Sequence, residues 1–344
     1  MRELLAGPGF FRLALALIVF ADHATRLSLG LSAVLLFFML SGYWIQKMWT
    51  GRYAHTRQTY LTYLVSRFWR LLPAFLVCSA LAWCLLAWKE QIPSDIKPIS
   101  QAFSNLFILG YDSLPFQADG PAWSLDIEVQ FYLIAPVLIW AITRSVAALP
   151  FCALASAGAY LLDIKGCVIP YLVYFAIGAT AGQAEWRPSR SLALASLAFS
   201  LSALALTMAG PWHSLVLVGN HSGPLAPYND TANAVLALAM APWAMFTTRQ
   251  KGGRQDGLFG DLSYGVYLLH LPILVALAAG GGTNAERIVK LGAAILLVAT
   301  GSLALHFLVD RPNHRLRASW VARRMTTPKA EAPPLSLTAA PVSD

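Results

Sequence analysis

The chain has 344 residues, of which 57% are hydrophobic and only 12% are charged, and its formal net charge is +8. Soluble proteins carry roughly twice that share of charged residues, so the composition excludes an ordinary soluble globular fold. Apolar residues are too abundant for a disordered chain. Four cysteines without metal-type spacing are too few for a disulfide scaffold, and we interpret them as small hydrophobic residues. We therefore expect a polytopic membrane protein.

The predicted fold class is all-α, with about ten transmembrane helices, because a helix needs about 20 apolar residues to cross a bilayer. In chain order the segments that meet this requirement are roughly 6–27, 29–48, 68–88, 123–143, 146–163, 168–184, 191–210, 230–247, 258–280 and 288–309. The fifth and sixth are short, so the number of spans is open between about nine and eleven. Segments 89–122 and 211–229 are rich in turn-forming residues and are predicted to be loops, with a short helix over Gln101 to Leu109.

The distribution of positive charge predicts the orientation. With the N-terminus in the cytoplasm, that side of the membrane carries roughly three times as many lysines and arginines as the other. Both termini are therefore predicted to be cytoplasmic, and the net charge reflects topology rather than a nucleic-acid partner. We divide the chain into a transmembrane domain over 1–325 and a disordered cytoplasmic tail over 326–344.

Arg12 and His23 stand out because ionisable side chains inside membrane spans are costly and point to function. They are eleven residues apart in the first span, which places both on one helix face, about 16 Å apart along the axis. They either line a path across the membrane or serve the fold, with Arg12 reaching back to the interface and His23 ending the span. The neighbouring Asp22 either orients the His23 ring or packs at a helix interface.

Arg67 and Arg70 precede the third predicted span, in the segment SRFWRLLP. Their spacing of three residues puts them on one face if the segment is helical. Two guanidinium groups at a membrane edge suit phosphate groups, which accept paired N–H donors. The alternative is that they anchor the cytoplasmic side of the span.

Glu128 lies about one turn into the fourth predicted span, in WSLDIEVQFYLIAP. A buried carboxylate must be paired, hydrogen-bonded or protonated. We therefore consider it a possible partner for Arg12 or His23, or a proton acceptor in its own right. Asp126 lies closer to the membrane surface, and we expect it to be solvated.

His270 and His306 lie in the last two predicted spans. Single histidines on apolar faces are more often hydrogen-bonded interface residues than metal ligands. A metal site formed with Asp22 and His23 is conceivable, but no spacing requires it, and we expect no metal.

These residues together resemble the integral-membrane acyltransferase 3 family. Arg12 and His23 resemble its Arg-x10-His signature, and Arg67 and Arg70 resemble its RxxR element. The segment LLFFMLSGYWI at 35–45 is similar to its FF-x-x-SGF block, with Tyr43 in place of phenylalanine. Three further blocks match in order, at 123–136, 262–273 and 306–312. Each block is weak alone, but the ordered set is specific and covers most of the chain.

The resemblance implies transfer of an acyl group, typically acetyl from acetyl-CoA, to a hydroxyl of an acceptor. It assigns the phosphates of the acyl-CoA to Arg67 and Arg70, with Arg12 further along the path. His23 is then a general base or a transient acyl carrier, and Glu128 orients or charge-balances the site. The resemblance further places the following residues in the substrate cavity: Asp22, Ser41, Trp123, Tyr264 and His270.

The expected acceptor is a surface polysaccharide or a lipid-linked glycan, and the expected location is the bacterial inner membrane, in contact with its lipids. Some family members carry an extracytoplasmic hydrolase-like domain after the last span, and we expect this chain to lack it. Two other functions stay open: a secondary transporter of an envelope-glycan precursor, and a scaffold subunit with degenerate chemistry. Transporters often show repeat-related halves, and no internal repeat is visible. The oligomeric state and the acyl chain are not predicted.

Overall fold

The computed structural model describes residues 7–217, 223–278 and 281–326. Most of these residues are helical. The α-helices, in chain order, are α1 (Pro8–Ala24), α2 (Gly30–Gly51), α3 (Thr59–Trp88), α4 (Pro98–Phe107), α5 (Trp123–Arg144), α6 (Ala148–Leu161), α7 (Leu172–Gln183), α8 (Arg190–Ala209), α9 (Asn229–Thr247), α10 (Arg254–Ala276), α11 (Asn284–Leu305) and α12 (Arg311–Ala322). A π-helical turn, His306–Asp310, joins the last two helices.

The all-α membrane fold class is confirmed. Each of the ten predicted spans overlaps one of these helices. Within the described ranges, six helical segments are long and apolar enough to cross a membrane: Gly30–His55, Thr59–Trp88, Gly120–Arg144, Arg190–Ala209, Arg254–Ala276 and Asn284–Ala322. The number ten and the cytoplasmic position of both termini stay predictions. Apart from Thr326, the predicted tail lies outside the described residues.

Helix α3 begins earlier than the third predicted span. It starts at Thr59, so Arg67 and Arg70 lie within a continuous helix and not in a loop. The two turns before Arg67 are anchored by aromatic contacts, because Tyr63 is buried and its ring packs edge-on against Trp49. A hydropathy criterion ends a span at polar residues, and therefore it missed these turns.

Pro73 lies inside α3, and two side chains from other helices donate to backbone carbonyls near it. A proline has no N–H, so the carbonyl of Trp69, four residues earlier, loses its helical partner. The side-chain amide of Asn313 on α12 donates to that carbonyl at 2.8 Å. Tyr264 on α10 donates its hydroxyl to the carbonyl of Leu71, two residues before the proline, at 2.9 Å. Both α10 and α12 are thereby held against this part of α3.

Two pairs of helices approach so closely that only glycine fits at the contact. A Cβ atom on Gly178 of α7 would lie 1.8 Å from the backbone oxygen of Met39 on α2, which is far inside contact distance. A Cβ atom on Gly9 of α1 would likewise lie 1.8 Å from the backbone oxygen of Asp256 on α10. Small residues at such crossings let membrane helices pack by close backbone contact. The α1–α10 contact is the more relevant one for the candidate site, because Arg12 and His23 lie on α1.

The predicted short helix over Gln101 to Leu109 is present as α4. Its polar residues face the protein: Gln101 donates to the carbonyl of Phe116 at 2.7 Å, and Asn105 accepts from Ser79. Its apolar residues Ile99 and Phe103 are exposed. This inverted pattern suits a helix whose outer surroundings are lipid rather than water.

Candidate active site

A single cavity of 530 Å³ lies among α1, α2, α3, α5, α10 and the turn that leads into α12. Its volume falls within the ordinary range of ligand sites, about 300–1,000 Å³. Its most evident property is positive charge. Six arginines line it: Arg12, Arg67, Arg70, Arg311, Arg315 and Arg317. We call the end of the cavity that holds these side chains the arginine-rich end.

Arg67 is the most deeply placed of these arginines, with only 3% of its surface exposed. Its Nη2 donates to the hydroxyl of Tyr53 at 2.5 Å and to the sulfur of Met48 at 3.1 Å. Tyr53 in turn shares a hydrogen bond of 2.9 Å with Ser66. The Nε of Arg67 has no hydrogen-bond partner among the described residues. Arg67 is therefore a buried cation held in place by neutral groups.

The arginines that line the cavity have no acidic partners within the described part of the chain. The ion pairs found there, at 4.0 Å or less, are Lys47–Glu185, Lys165–Asp163, Arg187–Glu185 and His306–Asp261. Arg67 is buried, and a buried charge without a counter-ion costs roughly several kcal/mol. A cluster of unpaired guanidinium groups is therefore complementary to a polyanion that binds in the cavity.

Arg12 reaches the cavity because α1 and α10 are in close contact. The carboxylate of Asp256 accepts from the backbone N–H groups of Gly9, at 3.1 Å, and Phe10, at 2.8 Å, and so fixes the first turn of α1. A Cβ on Gly260 would lie 3.4 Å from the Arg12 guanidinium. The same Cβ would lie 3.2 Å from the Cα of Gly9, so glycine at this position lets α1 and α10 stay close beside Arg12.

Glu128 lines the cavity, but its partners differ from those proposed from the sequence. It accepts from Ser41 at 2.8 Å and from Tyr132 at 2.6 Å. It forms no ion pair with Arg12 or His23, so that part of the hypothesis is wrong. Glu128 lies on α5 and Arg12 on α1, and the cavity lies between these helices. Both hydroxyl groups donate to the same carboxylate oxygen, Oε1.

Asp126 is buried, with no exposed surface, and the prediction that it is solvated is wrong. It accepts from the backbone N–H of Asp112 and from the amide of Gln130, both at 2.9 Å. The segment 108–119 folds back over the start of α5, which removes Asp126 from solvent. Asp126 therefore positions this segment.

Asp119 ends the same segment and is fully buried. Its backbone N–H donates to the hydroxyl of Tyr111 at 2.9 Å. Within the described residues neither of its carboxylate oxygens has a hydrogen-bond partner. Burial therefore raises the pKa of the Asp119 carboxyl well above its ordinary value.

His23 and His270 meet at the far end of the α1–α10 contact. Nδ1 of His23 lies 3.3 Å from Nε2 of His270, and the ring centroids are 5.0 Å apart. His23 is exposed, whereas His270 has no exposed surface. Arg12 and His23 therefore both face α10, as their shared helix face predicts.

Asp22 does not orient the His23 ring. Its carboxylate accepts from the backbone N–H of Gly30 at 2.7 Å and so holds the start of α2. Trp123 packs edge-on against Phe38, with centroids 6.4 Å apart. Of the residues assigned to the cavity by resemblance, Ser41 and Tyr264 lie in its wall, while Asp22, Trp123 and His270 do not.

The cavity ends before it reaches the histidine pair. Ser124 and Tyr267 close it through a hydrogen bond of 2.7 Å, and Tyr267 donates to the carbonyl of Pro121 at 2.8 Å. His270 follows Tyr267 by three residues, about one helical turn along α10. His23 contacts His270 and lies outside the cavity wall, so Tyr267 and His270 stand between the cavity and His23 along α10.

Sequence reasoning missed three of the six arginines. The distribution of positive charge accounts for Arg311, Arg315 and Arg317 by membrane orientation alone, yet all three line the cavity. Arg317 donates to the carbonyl of Ser66, next to Arg67, at 3.3 Å. The spacing of four between Arg311 and Arg315, directly after a span, was the available signal for a basic helix face. No local pattern indicates that α12 folds back onto α3, where Asn313 and Arg317 donate to its carbonyls.

The π-helical turn at the start of α12 also faces the cavity, through His306 and Asp310. Nδ1 of His306 lies 3.8 Å from the carboxylate of Asp261. Such turns are frequent at functional sites because they re-aim side chains. The described residues contain no group of three histidine, cysteine, aspartate or glutamate side chains that could hold a metal ion.

Comparison with known proteins identifies the class. A family model described as an acyltransferase domain matches residues 4–307. The chain belongs to this family, the acyltransferase 3 family, and its apolar helices make it a multi-pass membrane protein.

Two relatives give a more specific likeness. The O-acetyltransferase OatA of Staphylococcus aureus strain NCTC 8325 / PS 47 is 30% identical over 136 residues, and that of strain COL is equally similar. The match covers 36% of this chain and 23% of each relative's length. No solved structure matches. The family match supports a membrane acyltransferase, and the comparisons give no support to a transporter.

Proposed function

We propose that this protein transfers an acetyl group from cytoplasmic acetyl-CoA to a hydroxyl of a surface polysaccharide or a lipid-linked glycan. Membership of the acyltransferase 3 family supports acyl transfer. The relatives named O-acetyltransferase support acetyl as the group and oxygen as the acceptor atom. The cavity supports the choice of donor.

The observation that carries the proposal is the set of arginines without acidic partners. Coenzyme A is a polyanion, because its nucleotide end bears three phosphate groups, and its pantetheine arm is long and flexible. Arg67 and Arg70 on α3, Arg12 on α1 and the arginines of α12 approach the cavity from three directions. Guanidinium groups bind phosphate oxygens with paired N–H donors. The arginine-rich end therefore holds the nucleotide end of the donor.

This assignment also sets the orientation. Acetyl-CoA is made in the cytoplasm, so we propose that the arginine-rich end faces the cytoplasm and the His23 end faces outward. The positive-inside pattern of the sequence supports the same orientation. The proposed location is the bacterial inner membrane, where the acceptor reaches the exposed His23 from outside.

In the proposed reaction the acceptor oxygen attacks the carbonyl carbon of the thioester. His23 accepts the hydroxyl proton, the carbon–sulfur bond breaks, and the departing thiolate of coenzyme A takes up that proton. If His23 instead carries the acetyl group, its Nε2 attacks the thioester carbonyl first, the carbon–sulfur bond breaks and coenzyme A leaves as the thiolate. The acceptor hydroxyl then attacks the acetyl group, the bond to Nε2 breaks, and the hydroxyl proton goes to the thiolate. Glu128, held by Ser41 and Tyr132, supplies a negative charge in the cavity wall beside the six arginines.

The direct test uses purified protein in lipid nanodiscs, radiolabelled acetyl-CoA and a glycan acceptor. We expect acetyl transfer by the wild-type protein, loss of transfer in His23→Ala, and retention in Arg144→Met. Arg144 is a matched control, since it is exposed at the end of α5 and lies outside the cavity wall. In cells, His23→Ala should abolish acetylation of the surface glycan while membrane insertion is unchanged. Full acetyl transfer by His23→Ala would overturn the assignment.

A further inference from the structure

The His23–His270 contact determines where the protons of both rings lie. Nδ1 of His270 lies 3.1 Å from the carbonyl oxygen of Val266. A carbonyl oxygen can only accept, so Nδ1 of His270 carries a proton and donates it. In the neutral ring Nε2 is then left without a proton and is a hydrogen-bond acceptor. This acceptor points at His23.

His23 has the matching arrangement. Its Nδ1 lies 3.0 Å from the carbonyl oxygen of Val19 and 3.3 Å from Nε2 of His270. Both neighbours accept, so Nδ1 of His23 carries the proton and shares it between them. The other nitrogen of His23, Nε2, is therefore unprotonated. It is the ring atom that a base or an acyl carrier must use.

We propose that His270 is a positioning residue for the transfer reaction, whose Nε2 accepts from Nδ1 of His23 and keeps Nε2 of His23 free to react. This inference rests on the proposed function of His23. It adds a role for His270 that differs from the cavity position expected from the sequence.

Val19 alone is a weaker anchor for this role. Its carbonyl oxygen also accepts the backbone N–H of His23, because the two residues are four apart in α1. His270 is instead a dedicated acceptor for the ring. When His23 takes up a proton, its Nδ1–H becomes part of a cation, and the hydrogen bond to His270 strengthens. The contact therefore favours the protonated state through which the reaction passes.

The surroundings of His270 hold it in the required orientation. It has no exposed surface, and its ring lies 6.2 Å from Phe20 on α1 and 6.0 Å from Tyr267 on α10, measured between centroids. The bond to Val266 and this packing together set the rotation of the ring, so that Nδ1 faces its own helix and Nε2 faces α1. A buried ring fixed in this way loses little entropy when it accepts a hydrogen bond.

The test compares His270→Gln with His270→Met by steady-state kinetics. The amide of glutamine can place an acceptor where Nε2 of histidine lies, whereas methionine fills similar space with only a weak acceptor. We expect His270→Met to lower kcat by about 100-fold, within the range that a general base contributes. We expect His270→Gln to stay within about tenfold of wild type, and the KM for acetyl-CoA to be unchanged in both. Equal loss in the two variants, or no loss in His270→Met, would overturn the proposal.

A second measurement does not depend on either variant folding. In ¹⁵N-histidine NMR of the wild-type protein, with His23→Gln used to assign the signal, we expect His23 to carry its proton on Nδ1. A proton on Nε2 of neutral His23 would refute the inference. The proposed function fails separately, if His23→Ala retains full acetyl transfer.

Discussion

Replacement of Arg67 by methionine distinguishes a binding role from a structural role. Methionine keeps much of the side-chain volume and removes the charge. A hydrogen bond to a charged group contributes about 1.5–3 kcal/mol, and 1.4 kcal/mol corresponds to a factor of about ten in affinity. We therefore expect the KM for acetyl-CoA to rise by about 10- to 150-fold, with a smaller change in kcat.

The buried position of Arg67 predicts that the same substitution weakens binding without lowering the stability of the protein. Arg67 is 3% exposed and has no acidic partner within the described residues. Removing it relieves a buried charge, although Tyr53 loses one hydrogen-bond donor and keeps Ser66. We expect the ligand-free Arg67→Met protein to melt at the wild-type temperature or above it. A structural arginine would give the reverse result.

The assay compares two donors, acetyl-CoA and acetyl-pantetheine, which lacks the nucleotide and its phosphates. Arg67→Met should raise the KM for acetyl-CoA and leave the KM for acetyl-pantetheine unchanged, because only the first donor has phosphates to lose. Arg144→Met should change neither KM, since Arg144 stacks on Trp140 outside the cavity. An unchanged KM for acetyl-CoA together with a lower melting temperature would refute the reasoning.

Three further changes test the packing and the buried carboxyl. Gly178→Ala should lower the melting temperature in detergent, because overpacking costs about 1–3 kcal/mol; Gly158→Ala is the control, as nothing lies within 4 Å of its Cβ position. Asp119→Asn should be more stable than wild type at pH 8, with a smaller gain near pH 4. Burial raises the pKa of Asp119 in the folded state, so the wild-type protein loses stability as the pH rises from about 4. A constant difference across that range would contradict this expectation. Asn313→Ala leaves the Trp69 carbonyl without its donor and should raise the KM for acetyl-CoA by detaching α12; an unchanged KM would show that α12 stays docked without that bond.

The spacing of Arg12 and His23 predicted a shared helix face, because an α-helix repeats every 3.6 residues whatever surrounds it. Both side chains do face α10. Local pattern likewise placed a short helix near α4, and the apolar runs predicted the ten helices that overlap the predicted spans. These features depend on neighbours in the chain, so they can be read from the sequence.

Partners distant in the sequence could not be predicted in this way. Glu128 is satisfied by Ser41, 87 residues away, and His23 meets His270 across 247 residues. Asp126 looked exposed because it lies near the end of a span, but a folded segment covers it. Such contacts depend on which helices pack together, and periodicity carries no information about that choice.

The sequence by itself determined that this is a helical membrane protein, which of its few charges lie inside apolar segments, and that their order resembles the acyltransferase 3 family. Its low charge content made this possible, because each ionisable residue in a span needs a physical reason to be there. Only the tertiary structure decided that six arginines from α1, α3 and the α12 region line one cavity, and that His270 rather than Asp22 contacts the His23 ring. The physical reason is that these side chains meet only because their helices pack together. Backbone contact at Gly9 brings α1 against α10, and the hydrogen bond from Asn313 to the Trp69 carbonyl brings α12 against α3.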